Sequence, residues 1–193
     1  VFAILLSLLE IKDSEYLRFA YSSEQGFDES CGLSTLSCLL STYWGLPASE
    51  DSLAVEAFSS KAESDYAISF ADMKGLLKAR GFSCASYRMN YEQLSAAIAA
   101  YAPVIVHYDK PAGHFSLVLR SSGPLLVVAD PAEGLVAMER GDFEKRWSGH
   151  ILLSRLPGSK PDGAKLDAAC ASALARRELL DRAAMIAAGG HRW

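Results

Sequence analysis

The 193 residues contain no C-x-x-C pair, no G-X-Y or heptad run and no stripe of clustered basic residues. They also lack an apolar run of the length, about 18 residues, that spans a bilayer as a helix. Each absence closes a class. Without paired cysteines at ligand spacing there is no zinc module. Without sequence periodicity there is no fibre. With 19 Lys+Arg against 23 Asp+Glu and a formal net charge of −4, the chain lacks the footprint that binds phosphate backbones, so no nucleic-acid partner is expected. What is present is apolar: half the residues are hydrophobic, enough for one core of ordinary domain size. One compact domain with an appendage is the starting expectation.

The four cysteines are Cys31, Cys38, Cys84 and Cys170, and the four histidines are His107, His114, His150 and His191. Their spacing is too irregular for a metal site, and four cysteines in a chain of this length do not make a disulfide scaffold. They read as buried thiols, or as one catalytic thiol among buried ones.

The chain opens with VFAILLSLL, apolar except for Ser7. Residues 1–10 read either as a trimmed secretory h-region or as an ordinary buried strand or helix. A polar stretch follows from Asp13 to Glu29. Residues 31–43 then place Leu33, Leu36, Leu39 and Leu40 at helical spacing, and Trp44-Gly45-Leu46-Pro47 ends that helix. Ser49-Glu50-Asp51-Ser52 opens a second helix running to about Ser59. Ser69 with Asp72 caps a third helix over Phe70–Arg80, closed by Gly81. Strand-like residues 82–89 and a helix over 90–101 capped by Asn90 come next. Runs at 103–109, 114–120, 125–130 and 135–139 read as strands separated by Gly, Pro and Asp turns. A short helix over Asp142–Trp147 and a strand over 150–156 complete the pattern. Helices first and then a mostly antiparallel sheet make an α+β fold. After Pro157, GSKPDG reads as a linker and Ala164–Ala188 as one helix ending at Gly189-Gly190. This tail, 158–193, carries six Lys/Arg and four Asp/Glu, so it is the basic part of an acidic chain.

A thiol nucleophile acts as thiolate, and a helix N-terminus favours that form. Cys31 is the cysteine in that setting. Cys38 falls one layer deeper on the same helix side, Cys84 on a strand face and Cys170 in the tail helix, all three as structural thiols. A Cys nucleophile also needs a base, a group to orient the base, and donors for the oxyanion. Gln25, one of only two glutamines, stands six residues before Cys31. Its amide N–H and the Cys31 backbone N–H can serve one carbonyl oxygen. His114 opens a strand and Asp130 ends the next one, so an antiparallel pair would set them side by side.

The segment QGFDESCG (25–32), HFSLV (114–118), Asp130-Pro131-Ala132-Glu133-Gly134 and FEKRWSGHILL (143–153) together resemble the bacteriocin-processing, or double-glycine, branch of the papain-like cysteine peptidases. The resemblance covers residues 20–156. Around SEQGFDESCGLSTL it extends to stand-alone members, including the periplasmic peptidase of functional-amyloid secretion systems. It implies a papain-like fold with an N-terminal helical lobe facing an antiparallel sheet. It also implies a catalytic Cys31–His114–Asp130 triad with Gln25 in the oxyanion hole, and no metal or cofactor. The implied substrate is a leader or precursor, cut beside small residues such as Gly-Gly; the implied partner is a secreted precursor or secretion component. The implied place is the periplasm, or alternatively the cytoplasmic face of a secretion system. The family's usual Asp-Cys-Gly-Pro reads Ser30-Cys31-Gly32-Leu33 here, no transporter segments follow in the chain, and the tail lies outside the resemblance. The expected organisation is an N-terminal segment 1–19, a peptidase domain 20–157, and a linker and helix 158–193.

Other readings stand beside this one. The chain can be a docking or chaperone-like module that binds a secreted substrate without cutting it. Another thiol acyl-transfer enzyme, an amidase or transglutaminase-like protein, would show a nucleophile motif such as Asp-Cys-Ser-Gly, which is absent. His107 reads as structural, His150 as a surface strand start, Trp44 and Trp147 as core, and Asp28 and Glu29 as a solvated loop. Gly189-Gly190 reads as a helix C-cap, with self-cleavage of the tail as its alternative.

Overall fold

The computed structural model describes residues 18–26, 30–59 and 67–189. The expectations for residues 1–10, for Asp28 and Glu29, and for Gly190 lie outside them. The first long element, α1, runs over Cys31–Ser37 as an α-helix and continues over Cys38–Tyr43 with π-type winding. All seven residues Cys31–Ser37 are buried, so this helix is the centre of the molecule rather than one of its sides. Helix α2 (Glu50–Phe58) starts from Ser49, whose hydroxyl accepts the Ser52 N–H. Helix α3 (Phe70–Ala79) starts from a reciprocal Ser69–Asp72 capping box. After β1 (Ser83–Arg88), helix α4 (Tyr91–Tyr101) begins with the same device, built from Asn90 and Gln93.

The remaining elements are β2 (Val104–Tyr108), β3 (His114–Ser122), β4 (Leu125–Asp130), β5 (Gly134–Glu139), α5 (Arg140–Arg146), β6 (Trp147–Arg155) and α6 (Gly163–Gly189). The strands form one sheet in the order β1-β6-β2-β3-β4-β5, and each neighbouring pair is antiparallel. The fold is α+β. Strand β6 begins at Trp147, earlier than the run after Gly149 suggests. Tyr108 pairs with Trp147 across an irregular register, and Gly149 turns the chain with φ +82°.

The central strands β2, β3 and β4 are buried on both faces, which explains why they are apolar almost throughout. Ile105, Leu117, Val127 and Ala129 pack with Leu33, Leu36 and Leu39 of α1, with Met73 and Leu77 of α3, and with Leu166 and Ala173 of α6. Their sequence neighbours Val104, Val106, Val118, Leu126 and Val128 pack with Leu94 and Ile98 of α4 and Phe143 of α5. Strict alternation of direction therefore gives two apolar layers instead of one wet and one dry face. Trp44 and Trp147 are half-buried and pack against these layers from outside.

Two features seat α1. Gly32 has no room for a side chain: a Cβ there would lie 2.7 Å from Met73 Cε and 3.0 Å from Ile68 Cγ2. Thr35 donates its hydroxyl to the Phe115 carbonyl at 3.0 Å, tying α1 to β3 one residue after His114.

Candidate active site

The β3–β4 register pairs Leu117 with Ala129, so the next step toward the sheet end holds Ser116 and Asp130. His114 lies two residues further, on the same face as Ser116. The result is that His114 Nε2 lies 2.9 Å from Asp130 Oδ2. Asp130 is fully used: Oδ2 also accepts the Ser116 hydroxyl at 2.6 Å, and Oδ1 accepts the backbone N–H groups of Ala132 at 2.8 Å and Glu133 at 3.0 Å. Burial alone pushes the Asp130 carboxyl up. The His114 hydrogen bond and charge, with those donors, outweigh it and hold the group below the ordinary carboxylate range.

His114 is the more accessible partner, its side chain 20% exposed against 1% for Asp130. Burial pushes its imidazole down, but the Asp130 hydrogen bond and then a hydrogen bond with the Cys31 thiol win, raising it to about 9. Since Nε2 faces Asp130, Nδ1 is the nitrogen left for Cys31. Tyr108 stacks on the imidazole with ring planes 11° apart, and the Arg146 guanidinium lies 4.8 Å from the centroid of the Tyr108 ring. Cys31 is the first residue of α1 and is buried. Thus the structure brings Cys31, His114 and Asp130 together.

Gln25 reaches the same corner through its backbone. Its N–H donates to the Pro131 carbonyl at 3.0 Å, and the preceding turn is tied by Ser22 Oγ to the Asp130 carbonyl at 3.0 Å. The Gln25 side-chain Oε1 is buried without a donor among the described residues. Arg18 donates to the carbonyls of Glu133 and Ala132, and its backbone passes so close to Gly134 that a Cβ there would lie 2.6 Å from the Arg18 carbonyl oxygen.

The other sequence candidates fall away from this corner. Burial pushes the Cys38 thiol up to about 11, and its Sγ faces the Tyr21 carbonyl at 3.6 Å. Cys84 and Cys170 are raised by burial too. His107 hydrogen-bonds the Ser148 hydroxyl, and burial lowers its imidazole; His150 is exposed on the same serine. Among the described residues no cluster of His, Cys, Asp and Glu has metal-binding geometry, and no helix is long and apolar enough to cross a membrane. A cavity of about 1120 Å³, lined by Trp44, Tyr101, Leu119, Arg120, Arg155 and Lys160 among others, opens at the opposite end of β3 and includes none of the four candidate residues. Sequence reasoning passed over Ser116, Thr35 and Glu50. Ser116 alone had a local signal, standing two residues from His114 and hence on its face.

The sequence profile described as the Peptidase C39 family matches residues 20–157. The chain belongs to the Peptidase C39 family. Among curated proteins it is 29% identical over 139 residues to the Pseudomonas aeruginosa protein named "Probable functional amyloid protease FapD", covering 69% of this chain and 60% of that protein. The Pseudomonas fluorescens protein of the same name is 26% identical over 155 residues, covering 78% of this chain and 67% of the relative. The chain thus spans about three-fifths to two-thirds of the curated relatives it matches. The fold is that of the peptidase domain of Streptococcus ComA, a bi-functional ABC transporter, with TM-score 0.60, 21% identity and coverage of 70% of this chain and 98% of that one. It is also that of a double glycine motif protease from an AMS/PCAT transporter, solved with its leader peptide, with TM-score 0.57, 20% identity and coverage of 73% and 91%.

Proposed function

We propose that this C39 family member is a cysteine peptidase that uses Cys31 as nucleophile, His114 as base and acid, Asp130 as its orienting carboxylate and Gln25 in the oxyanion hole. The observation that carries this reading is the His114 imidazole, held at 2.9 Å by a buried Asp130 and hydrogen-bonded to the thiol that opens α1. His114 takes the Cys31 proton, and sulfur adds to a peptide carbonyl. The Cys31 N–H and the Gln25 amide receive the oxyanion. The C–N bond then breaks, the amine leaves with the proton from His114, and water hydrolyses the thioester, returning the thiol.

The substrate we assign is a leader or precursor cut beside small residues such as Gly-Gly, in a bacterial secretion or functional-amyloid export pathway. The relatives' names and the leader-bound neighbour support this class. We place the chain in the periplasm with that pathway, the cytoplasmic face of a secretion system being the alternative.

The test is alkylation of the native protein with iodoacetamide across pH, with peptide mapping, in wild type and His114→Ala. Selective Cys31 labelling below the ordinary thiol range of about 8.5, lost or moved upward in the variant, is the expected result. Slow labelling with the same ordinary profile in both proteins overturns the peptidase reading and favours a module that binds its substrate without cutting it.

A further inference from the structure

Gln25 must be held against the nucleophile helix if its amide is to share an oxyanion with the Cys31 N–H. The side chain that bridges the two is Glu50, the first residue of α2. Its carboxylate accepts the Gly26 N–H with Oε1 at 3.3 Å and Oε2 at 3.2 Å, and Oε2 also accepts the Ser34 hydroxyl from the first turn of α1. Gly26 follows Gln25 directly; Ser34 follows Cys31 by three residues. On the other side, the Gln25 N–H is fixed to Pro131 in the turn after Asp130. Two successive N–H groups are therefore held, that of Gln25 by the turn after β4 and that of Gly26 by α2. The Gln25 Oε1 adds no anchor of its own among the described residues.

We infer that Glu50 is a positioning residue that sets the oxyanion hole by clasping Gly26 to Ser34. The inference rests on the reading of Gln25 given above. A charged acceptor suits the task, because hydrogen bonds to an ionised group are shorter and stronger than neutral ones. The effect is specific: among the described residues the hydrogen bonds of Glu50 go to Gly26 and Ser34 and none goes to His114 or the Cys31 sulfur, so nucleophile activation and oxyanion binding are separable.

The experiment uses a peptide aldehyde ending in Gly-Gly, whose carbonyl accepts the Cys31 sulfur and, through His114, the thiol proton, giving a hemithioacetal oxygen in the hole. Its affinity is read from protection of Cys31 against iodoacetamide, a reagent whose displacement reaction makes no oxyanion. Gln25→Ala is expected to weaken the aldehyde by about 10²-fold, the range for losing one oxyanion donor. Glu50→Ala is expected to weaken it about tenfold or more, with an unchanged alkylation rate in the absence of aldehyde. The double variant binds no worse than Gln25→Ala, because both changes disable one device. Glu50→Gln, which retains an acceptor for Gly26, recovers most of the loss. Ser34→Ala removes one arm only and shows a smaller loss, a second route if Glu50→Ala does not fold. Full aldehyde affinity in Glu50→Ala, additive losses in the double variant, or equal slowing of alkylation overturns the inference. Full affinity in Gln25→Ala overturns the oxyanion reading itself, and this inference with it.

Discussion

Ser116 and Asp130 meet across the β3–β4 ladder, where the serine hydroxyl donates to the same carboxylate oxygen that faces His114. The imidazole is thereby oriented by a carboxylate that three other donors fix, the Ser116 hydroxyl and the Ala132 and Glu133 N–H groups. Ser116→Ala removes one of these and leaves a buried charge less satisfied. A stability loss of about 1.5–3 kcal/mol is expected in urea titration. On the proposed mechanism kcat falls roughly tenfold, about 1.4 kcal/mol of barrier, with little change in KM. A loss of stability without any change in kcat would separate Ser116 from the orientation of His114.

The two partners titrate in opposite senses, and stability follows both. His114 is raised from an unfolded value of about 6.5 to about 9 in the fold. Its contribution is fully present below the unfolded value and is lost as pH rises through about 9. Asp130 is lowered, so its contribution is present above about 3.9 and is lost as pH falls through the depressed native value. The gap in Tm between wild type and Asp130→Asn is therefore expected to be widest between about pH 4 and 6.5 and to narrow as pH rises through about 9, where the charged His114 is lost and the Ser116 and backbone donors remain. An NMR titration of the His114 ring with a midpoint near 6.5 would contradict the pairing.

Gly32→Ala sets a methyl against Met73 Cε and Ile68, at 2.7 and 3.0 Å. The end of Met73 can swing, but the Ile68 side chain is branched and buried. A loss of about 1–3 kcal/mol is expected, as for overpacking elsewhere. Adding Met73→Ala should relieve part of it, so the double variant is more stable than the sum of the single changes predicts. Strict additivity would place the strain elsewhere.

Of the four cysteines, Cys38 has the deepest burial of its thiol among those raised, to about 11. At neutral pH, iodoacetamide should leave Cys38 untouched in the folded protein and label it in urea. Labelling of Cys38 at the rate of Cys31 under native conditions would mean that α1 opens readily, and Cys31 selectivity would lose its meaning.

Local punctuation in the sequence was readable because capping is local chemistry. Ser69 with Asp72 and Asn90 with Gln93 both close as boxes at the expected places. The adjacency of His114 and Asp130 was legible because two neighbouring strands leave few registers once one face is defined. The rest depended on long separations or on backbone detail. The π-type winding of Cys38–Tyr43 changes which carbonyl each N–H meets, and no side chain announces that choice. Glu50 looks like any acid in the first turn of a helix; its partner Gly26 lies 24 residues away. Trp147, expected in the core, is half-buried at the start of β6, because the Tyr108 pairing draws the strand back past Gly149.

Helix α6 also decides what the sheet can do at its margins. Arg176 and Arg177 donate to the carbonyls of Leu135 and Ala137 on the outer edge of β5, so those acceptors are spent. A strand from another molecule finds its hydrogen-bonding row already occupied there. The remaining margin is β1, six residues ending in Arg88. Strand addition at this sheet is therefore steered away from β5 by the helix that packs along it.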